Sequence, residues 1–380
     1  MLPFVNMSGS PEQEYFSNGM TEDLITDLSK LSGLFVTARN SSFYYKGKAV
    51  KVEQVSKELG VQYMVEGSVR KADNRVRITT QLVDATTGHH LWAERYDREL
   101  KDIFALQDEI RRKIVVHLGL RLIEEERERA DRDYNLEAYD SYLRGAEYFG
   151  RWTKKANVQA RQMFEKAITL DPSYAEAYVM LGATYHIEWT EQWSDDPQSL
   201  ERASALAQKA VASDDSLPYA HVILSIVHLL KGQYEQAIAE AEWTITLAPN
   251  YANAYALLGA ILNSVGRPEE AIGMAEKAMR LDPRYLFFHL PVLGQAYLLT
   301  GRYEEAVDVL KRAVTLNLNY LPIHTLLAVV YNELDREAEA RQQRSCGLIP
   351  ITLWRFTGRG LPLKIRRYWS DLLLPCTRRG

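Results

Sequence analysis

The sequence predicts two fold classes in tandem: an α/β domain with a mixed sheet and helices over residues 1–125, then an all-α solenoid of helical hairpins over residues 138–345. Three observations carry this. Residues 1–125 switch repeatedly between period-2 and helical hydrophobic patterning, as expected when strands and helices share one layer architecture. After them the period is helical throughout. Small residues then recur at a fixed interval: Gly232, Gly266 and Gly301 at 34 and 35 residues, Ala237, Ala271 and Ala306 in step, Ala340 34 further on, and Pro249 and Pro283 34 apart. A period of that length marks stacked helix-turn-helix units.

In the first part, Leu2 to Val5 reads as the end of a buried strand. Ser10, Pro11 and Gln13 form a capping-box start with proline at the first helical position. The helix extends to about Leu31, with Leu24, Ile25, Leu28 and Leu31 on one stripe and Gly33 placed to close it. Leu34 to Arg39 reads as a second strand, and Val52, Val55 and Leu59 mark a short helix ending at Gly60. Tyr63 to Arg70 is a third strand. Val76, Ile78, Thr80 and Leu82 alternate with Arg75, Arg77, Thr79 and Gln81, which argues a half-buried strand. Asp73-Asn74 and residues 84–88 are its turns. Leu91 to Tyr96 follows, then a helix from Asp102 to about Leu122. The order β-α-β-α-β-β-β-α implies helices on one face of a mixed sheet. Only four residues precede the first loop, fewer than a strand needs. The expectation is a segment upstream of Met1.

Residues 126–137 read as a charged helical linker, with Glu124, Glu125, Glu126, Arg127 and Arg129 as solvated faces. Five repeats follow at 138–172, 175–215, 218–251, 252–285 and 287–320, with a partial sixth from Leu321. Glu188 to Leu200, containing Trp189, Trp193 and Pro197, is an insertion in the second. Gly259, Ala271 and Ala278 belong where the two helices of a hairpin cross closely, and Tyr185, Tyr255, Leu258 and Tyr297 fill the space between hairpins. Pro249 and Pro283 stop second helices, since proline cannot continue the ladder. No hairpin buries its apolar face alone, so stacking supplies the core.

These residues resemble the tetratricopeptide repeat family over about 55% of the chain. That resemblance implies a protein or peptide partner in a concave groove and no catalysis. Residues 1–125 in turn resemble the TolB-amino-terminal-like (FlgO-like) domain, through LPFVNMSGSPEQEYFSNGMTEDLITDLSKL, ARNSSFYYKGKAVKVEQVSKELGVQYMVEGSVRK and DATTGHHLWAERYDREL. In bacterial regulators that domain precedes such repeats. Upstream of it the family often has a class III adenylate or guanylate cyclase domain, or a winged-helix DNA-binding domain, frequently with a transmembrane helix between. The resemblance therefore implies the sensory and scaffolding region of a cyclase-type protein. The rival readings are the effector half of a membrane-linked transcription regulator and an adaptor in envelope assembly.

By repeat register the groove positions include Tyr219, Val222, Ile226, Asn253, Asn263, Phe288, Gln295, Val329 and Asn332. Two readings stay open for them: inter-repeat core, or an apolar and amide surface for an extended or helical peptide. None is Lys or Arg, which argues against a clamp for acidic peptide termini.

Other chemistry is not signalled. There is no GxGxxG, Walker loop, HExxH or GxSxG, so no catalytic, cofactor-binding or metal residues are assigned. His89 and His90 near Asp84 are adjacent on a hairpin turn and point to opposite faces, and Asp195-Asp196 is far short of a Ca²⁺ ligand set. Residues 1–340 carry a net charge of −12 and residues 341–380 one of +8, so the body is a poor holder of a phosphate backbone. No run is apolar and long enough to span a membrane, and there is no signal peptide. As written the chain is cytoplasmic, with membrane association expected only through an upstream segment. The tail, residues 346–380, holds both cysteines, Cys346 and Cys376, and lacks the repeat. Trp354, Arg355, Arg366, Arg367, Tyr368 and Trp369 give it a basic–aromatic look. A frameshift reads it better: in another frame, permitted codons yield LRINPHYSL and YRARLPFKDPAVLERLAAALHEAG, which would complete the sixth repeat and add an amphipathic helix.

Overall fold

The computed structural model describes residues 1–31, 33–119, 135–194, 196–284, 289–318 and 321–345. The predicted frameshifted tail and most of the predicted linker lie outside these. The chain divides into two compact units, Met1–Leu224 with Thr246–Asn250, and Ser225–Ile245 with Tyr251–Gly380.

The first unit opens with a four-stranded sheet in sequence order, β1 (Val5–Asn6), β2 (Tyr63–Ala72), β3 (Arg75–Asp84) and β4 (His90–Glu99). β1 lies parallel to β2 and the other pairings are antiparallel, which makes the sheet mixed. Val76, Ile78, Thr80 and Leu82 of β3 are buried, while Arg75, Arg77 and Thr79 face water. Each such apolar side chain taken from water contributes about 1.5–3 kcal/mol. The buried face is covered by helices α1 (Glu14–Ser29) and α4 (Ile103–His117). Gly67 lets β2 approach β3 and Phe4, because a Cβ there would lie 2.3 Å from the Thr79 carbonyl oxygen.

Local signals act much as their chemistry dictates. Ser10 accepts from the Glu12 N–H and starts a 3-10 turn, Pro11–Gln13, ahead of α1. The reciprocal half of the capping box is missing, since Gln13 makes no return bond through its Oε1. The short helix α3 (Val52–Leu59) ends on Gly60 in the left-handed conformation. One expectation fails. Residues 34–39 form no strand: they run as irregular chain into a short helix, α2 (Arg39–Phe43). The Val36 N–H bonds the Asn250 side chain instead of a neighbouring strand.

The remaining helices come in pairs. The first unit holds α5 (Leu136–Phe149) with α6 (Lys154–Leu170), and α7 (Ala175–Thr190) with α8 (Ser199–Ser213). α9 (Pro218–Leu230) and α10 (Tyr234–Leu247) follow. The second unit contains α11 (Ala252–Ser264) with α12 (Pro268–Leu281), α13 (His289–Leu299) with α14 (Tyr303–Leu316), and α15 (Leu321–Glu333) with α16 (Glu337–Ser345). The sixth repeat thus has a second helix, described as far as Ser345. α5 starts at Leu136, inside the span assigned to a linker, because Asn135 caps it by accepting from the Glu137 and Ala138 N–H groups.

The turn inside each hairpin explains the period. Among the described residues each turn has one with positive φ: Trp152, Gln192, Gly232, Gly266, Gly301 and Asp335. The next residue's N–H then returns to a carbonyl five positions back, Gln233 to His228, Arg267 to Leu262, Arg302 to Tyr297 and Arg336 to Tyr331. This is the six-to-one bond of a Schellman cap, which favours glycine at the left-handed position. Small residues set the crossings. A Cβ on Gly259 would sit 3.3 Å from the Ala271 carbonyl oxygen, and one on Gly182 would sit 3.2 Å from that of Ala203. Ala237, Ala241, Ala271, Ala275, Ala278, Ala306 and Ala313 are all fully buried.

Candidate partner-binding surface

The positions assigned to a groove divide by burial. Val222, Asn263 and Val329 are buried, which selects the inter-repeat core reading at those three positions. Asn263 shows why an amide can sit there: its Nδ2 donates to the Val292 carbonyl at 2.9 Å, tying α11 to α13. Tyr219, Ile226, Gln295 and Asn332 are half-buried, and Asn253 is exposed. Burial pushes the Tyr219 hydroxyl up to about 12, so it stays a neutral donor at any physiological pH. Phe288 lies outside the described residues.

Ile226, Asn253, Gln295 and Asn332 stand on α9, α11, α13 and α15, the first helices of their hairpins. An uncharged set of one aliphatic and three amide side chains can hydrogen-bond a peptide backbone and cover an apolar side chain. It offers no charge for ion pairing. Two arginines on the hairpins are already engaged: the Arg302 guanidinium lies 4.1 Å from the Tyr297 ring centroid and pairs with Glu305, and Arg161 lies 3.9 Å from that of Tyr185 and pairs with Glu188.

The suspected cation sites are accounted for by local bonding. Asp84 accepts from the Thr86 N–H at 2.9 Å and its hydroxyl at 2.6 Å, which lowers its pKa and closes the turn. Asp196 pairs with Arg202 at 3.2 Å, and Asp195 lies outside the described residues. Among the described residues no group of three His, Cys, Asp or Glu could hold a metal ion, and no helix is long and apolar enough to cross a membrane.

Pattern reading missed a polar seam between α1 and α5. Tyr15, Gly19 and Asp23 occur at intervals of four and form one row on α1. The Tyr15 hydroxyl donates to Asp140, which also binds Lys71 at 3.3 Å and Arg144 at 2.8 Å. A Cβ on Gly19 would lie 2.3 Å from Leu143 Cδ2. The Asp23 Oδ2 accepts from the Tyr139 hydroxyl at 2.5 Å and from Gln107 Nε2 of α4 at 2.8 Å. Around this row the core of the sheet layer runs on without a break into the first hairpin, from Phe4, Met20 and Ile110 to Leu143, Ala167 and Tyr174. The spacing on α1 is visible in the sequence, but its hydrogen-bond partners on α5 stand 116 to 129 residues away.

Comparison with known proteins agrees with the repeat geometry. Residues 262–328 match the tetratricopeptide repeat family model. The chain is 49% identical over 229 residues to a protein of Rhizobium meliloti (strain 1021) named "Putative adenylate cyclase 3", covering 60% of this chain and 39% of that one. The chain thus spans well under half the length of this curated relative. Among solved structures, the APC/C hetero-tetramer Cut9-Hcn1 is similar at a TM-score of 0.49 and 19% identity, covering 60% of this chain and 43% of that one. Pseudomonas aeruginosa PilF is similar at 0.41 and 20%, covering 55% and 94%. The helical part of this chain is a series of tetratricopeptide-like hairpins, within which residues 262–328 match the tetratricopeptide repeat model.

Proposed function

We propose that this chain is a protein-binding, scaffolding and sensory region of a bacterial signalling protein of the adenylate or guanylate cyclase type. The observation that carries the pathway is the 49% identity to a relative bearing a cyclase name, of which this chain spans 39%. Cyclic-nucleotide chemistry would then reside in the part of such a protein that this chain does not span. The binding role is supported by the repeats themselves, whose first helices present Ile226, Asn253, Gln295 and Asn332. An extended or helical peptide fits that uncharged chemistry best, since backbone amides suit amide side chains and a single apolar anchor suits Ile226. In this reading residues 1–125 are a TolB-amino-terminal-like domain that receives or transmits the signal.

Incubating the chain alone with ATP or GTP and Mn²⁺, then measuring cyclic nucleotide, is the direct test. The expected result is none above buffer. The longer parent protein should form cyclic nucleotide, and deleting residues 1–345 from it should change that rate. Cyclic nucleotide from the chain alone would contradict the scaffolding role. An unchanged rate after the deletion would contradict the sensory one.

A further inference from the structure

The sheet ends on β4, and that side of β4 is open. Among the described residues β4 is the last strand in the sheet and pairs with β3 alone. The Leu100 N–H bonds the Asn74 carbonyl at 2.8 Å, in register with the β3–β4 ladder. In an antiparallel ladder successive residues turn their backbone groups to one side and then to the other. Arg98, Tyr96 and Glu94 therefore turn theirs to β3, while Glu99, Asp97, Arg95 and Ala93 turn theirs outward. β3 agrees: just past its end the Ala85 N–H reaches the Gln62 carbonyl at 2.8 Å, which gives the odd-numbered residues of β3 to β2 and the even-numbered ones to β4. Among the described residues the outward groups meet no other backbone, and the Arg98 side chain reaches the Asp97 carbonyl at 3.4 Å. Ala93, Arg95 and Glu99 are exposed and Asp97 is half-buried.

An open edge of ten residues takes up another strand unless its side chains repel it. The order of charges on β4 selects the strand. Counting away from Tyr96 in both directions, Arg95 is matched by Asp97 and Glu94 by Arg98, opposite signs at equal distance. When a second β4 lies antiparallel with Tyr96 opposite Tyr96, Arg95 faces Asp97 and Glu94 faces Arg98, each pair twice. Outward backbone groups then meet outward ones, Arg95 with Asp97 and Ala93 with Glu99. The neighbouring registers that keep this match place Arg95 opposite Arg95, or Asp97 opposite Asp97. Asp97 already holds Arg75 at 2.8 Å, but a carboxylate has acceptor sites for more than one donor. We propose that β4 is a self-pairing edge: two copies of this chain join β4 to β4 about Tyr96, and their four-stranded sheets become one sheet with the helices of both copies on the same face. The joint lies apart from the repeats, so self-association leaves their surface open to a peptide.

Sedimentation equilibrium of the full chain should show a reversible dimer. Arg95→Glu sets like charges opposite each other twice and should raise the dissociation constant about tenfold or more, with the circular dichroism unchanged. Lys57→Glu, the same change of charge at an exposed position on α3, should leave the dimer as it was. Cross-linking reads the register separately. In a chain carrying Cys346→Ser and Cys376→Ser, the pair Ala93→Cys and Glu99→Cys should give a covalent dimer on mild oxidation, because opposite hydrogen-bonded residues lie about 5.5 Å apart, within reach of a disulfide. Ala93→Cys alone should not, since position 93 of one copy stands far from position 93 of the other. A single-chain mass at every soluble concentration, a dimer indifferent to Arg95→Glu, or a dimer that the cysteine pair fails to link would overturn the proposal.

Discussion

The Asn250 side-chain amide donates to the Leu34 carbonyl oxygen at 2.7 Å. The same amide reaches the carbonyls of Ser29 and Leu31 at 3.2 and 3.3 Å, and its oxygen accepts from the Val36 N–H at 3.2 Å. One buried side chain therefore engages the carbonyls of Ser29, Leu31 and Leu34 and the N–H of Val36, in place of a strand partner. Replacing it with Ala leaves several buried backbone groups unpaired. The expected loss is about 2–3 kcal/mol in denaturant unfolding of the first unit. Asn250→Asp should cost at least as much, because a carboxylate cannot donate to carbonyls. A loss below 0.5 kcal/mol, the size of an ordinary surface change, would contradict the role.

This contact also explains the misread segment at residues 34–39. Leu34, Phe35 and Val36 are apolar and bounded by a turn, as a strand would be. What replaces the neighbouring strand is a single amide 214 residues away, which no local pattern signals. The hairpins were legible for the opposite reason. Their left-handed turns and close crossings are local demands for glycine and alanine, so the period stands in the sequence at Gly232, Gly266 and Gly301. Where Trp152, Gln192 and Asp335 take the left-handed position, the signal fades, and there the repeat boundaries were least clear. On the candidate surface, register placed Ile226, Asn253, Gln295 and Asn332 on the first helices of their hairpins. It could not separate the buried Asn263 from the exposed Asn253, because burial depends on the neighbouring hairpin.

Three glycines should respond differently to alanine. At Gly67 the new Cβ meets backbone, the Thr79 carbonyl at 2.3 Å, which cannot step aside. Gly67→Ala should cost about 3 kcal/mol or more, at the upper end of overpacking penalties. At Gly19 it meets the end of the Leu143 side chain, so Gly19→Ala should cost less, and the second change Leu143→Ala should recover part of the loss. Gly273 on α12 is exposed with open space around it, so Gly273→Ala should stabilise by about 0.5–1 kcal/mol through helix propensity alone. Thermal and denaturant unfolding of the variants measures this order.

Asp23 fixes the sign of a pH effect on stability. Its folded pKa, about 7, lies above the ordinary aspartate value of 3.8. The folded state therefore holds more protons than the unfolded state between those values, and this group's contribution falls as pH rises through the window. It is most favourable below about 4 and lost above about 7. Asp23→Asn should unfold at higher denaturant than wild type at pH 8, and the difference should shrink or reverse at pH 5. A variant less stable than wild type at pH 8 would contradict this.

The candidate surface predicts a separation of stability from binding. Asn253→Ala and Gln295→Ala remove side chains that are not in the core, so each should change stability by less than about 0.5 kcal/mol. Asn263→Ala removes the bond to Val292 and should cost about 1–3 kcal/mol. On the proposed function, the first two should alter how cyclic-nucleotide output of a cyclase carrying this chain depends on an added peptide partner, at unchanged melting temperature. A melting temperature lowered by Asn253→Ala as much as by Asn263→Ala would contradict the division.

Residue-resolved hydrogen exchange across residues 252–345 tests the hairpin array most directly. The account predicts blocks of slow exchange in α11 to α15, interrupted at residues 269–270, 303–305 and 337–339, the first turns of the second helices, with the Arg267, Arg302 and Arg336 amides just before them slowed by their returning bonds. Unbroken protection through those turns, or alternating protection typical of strands, would contradict it.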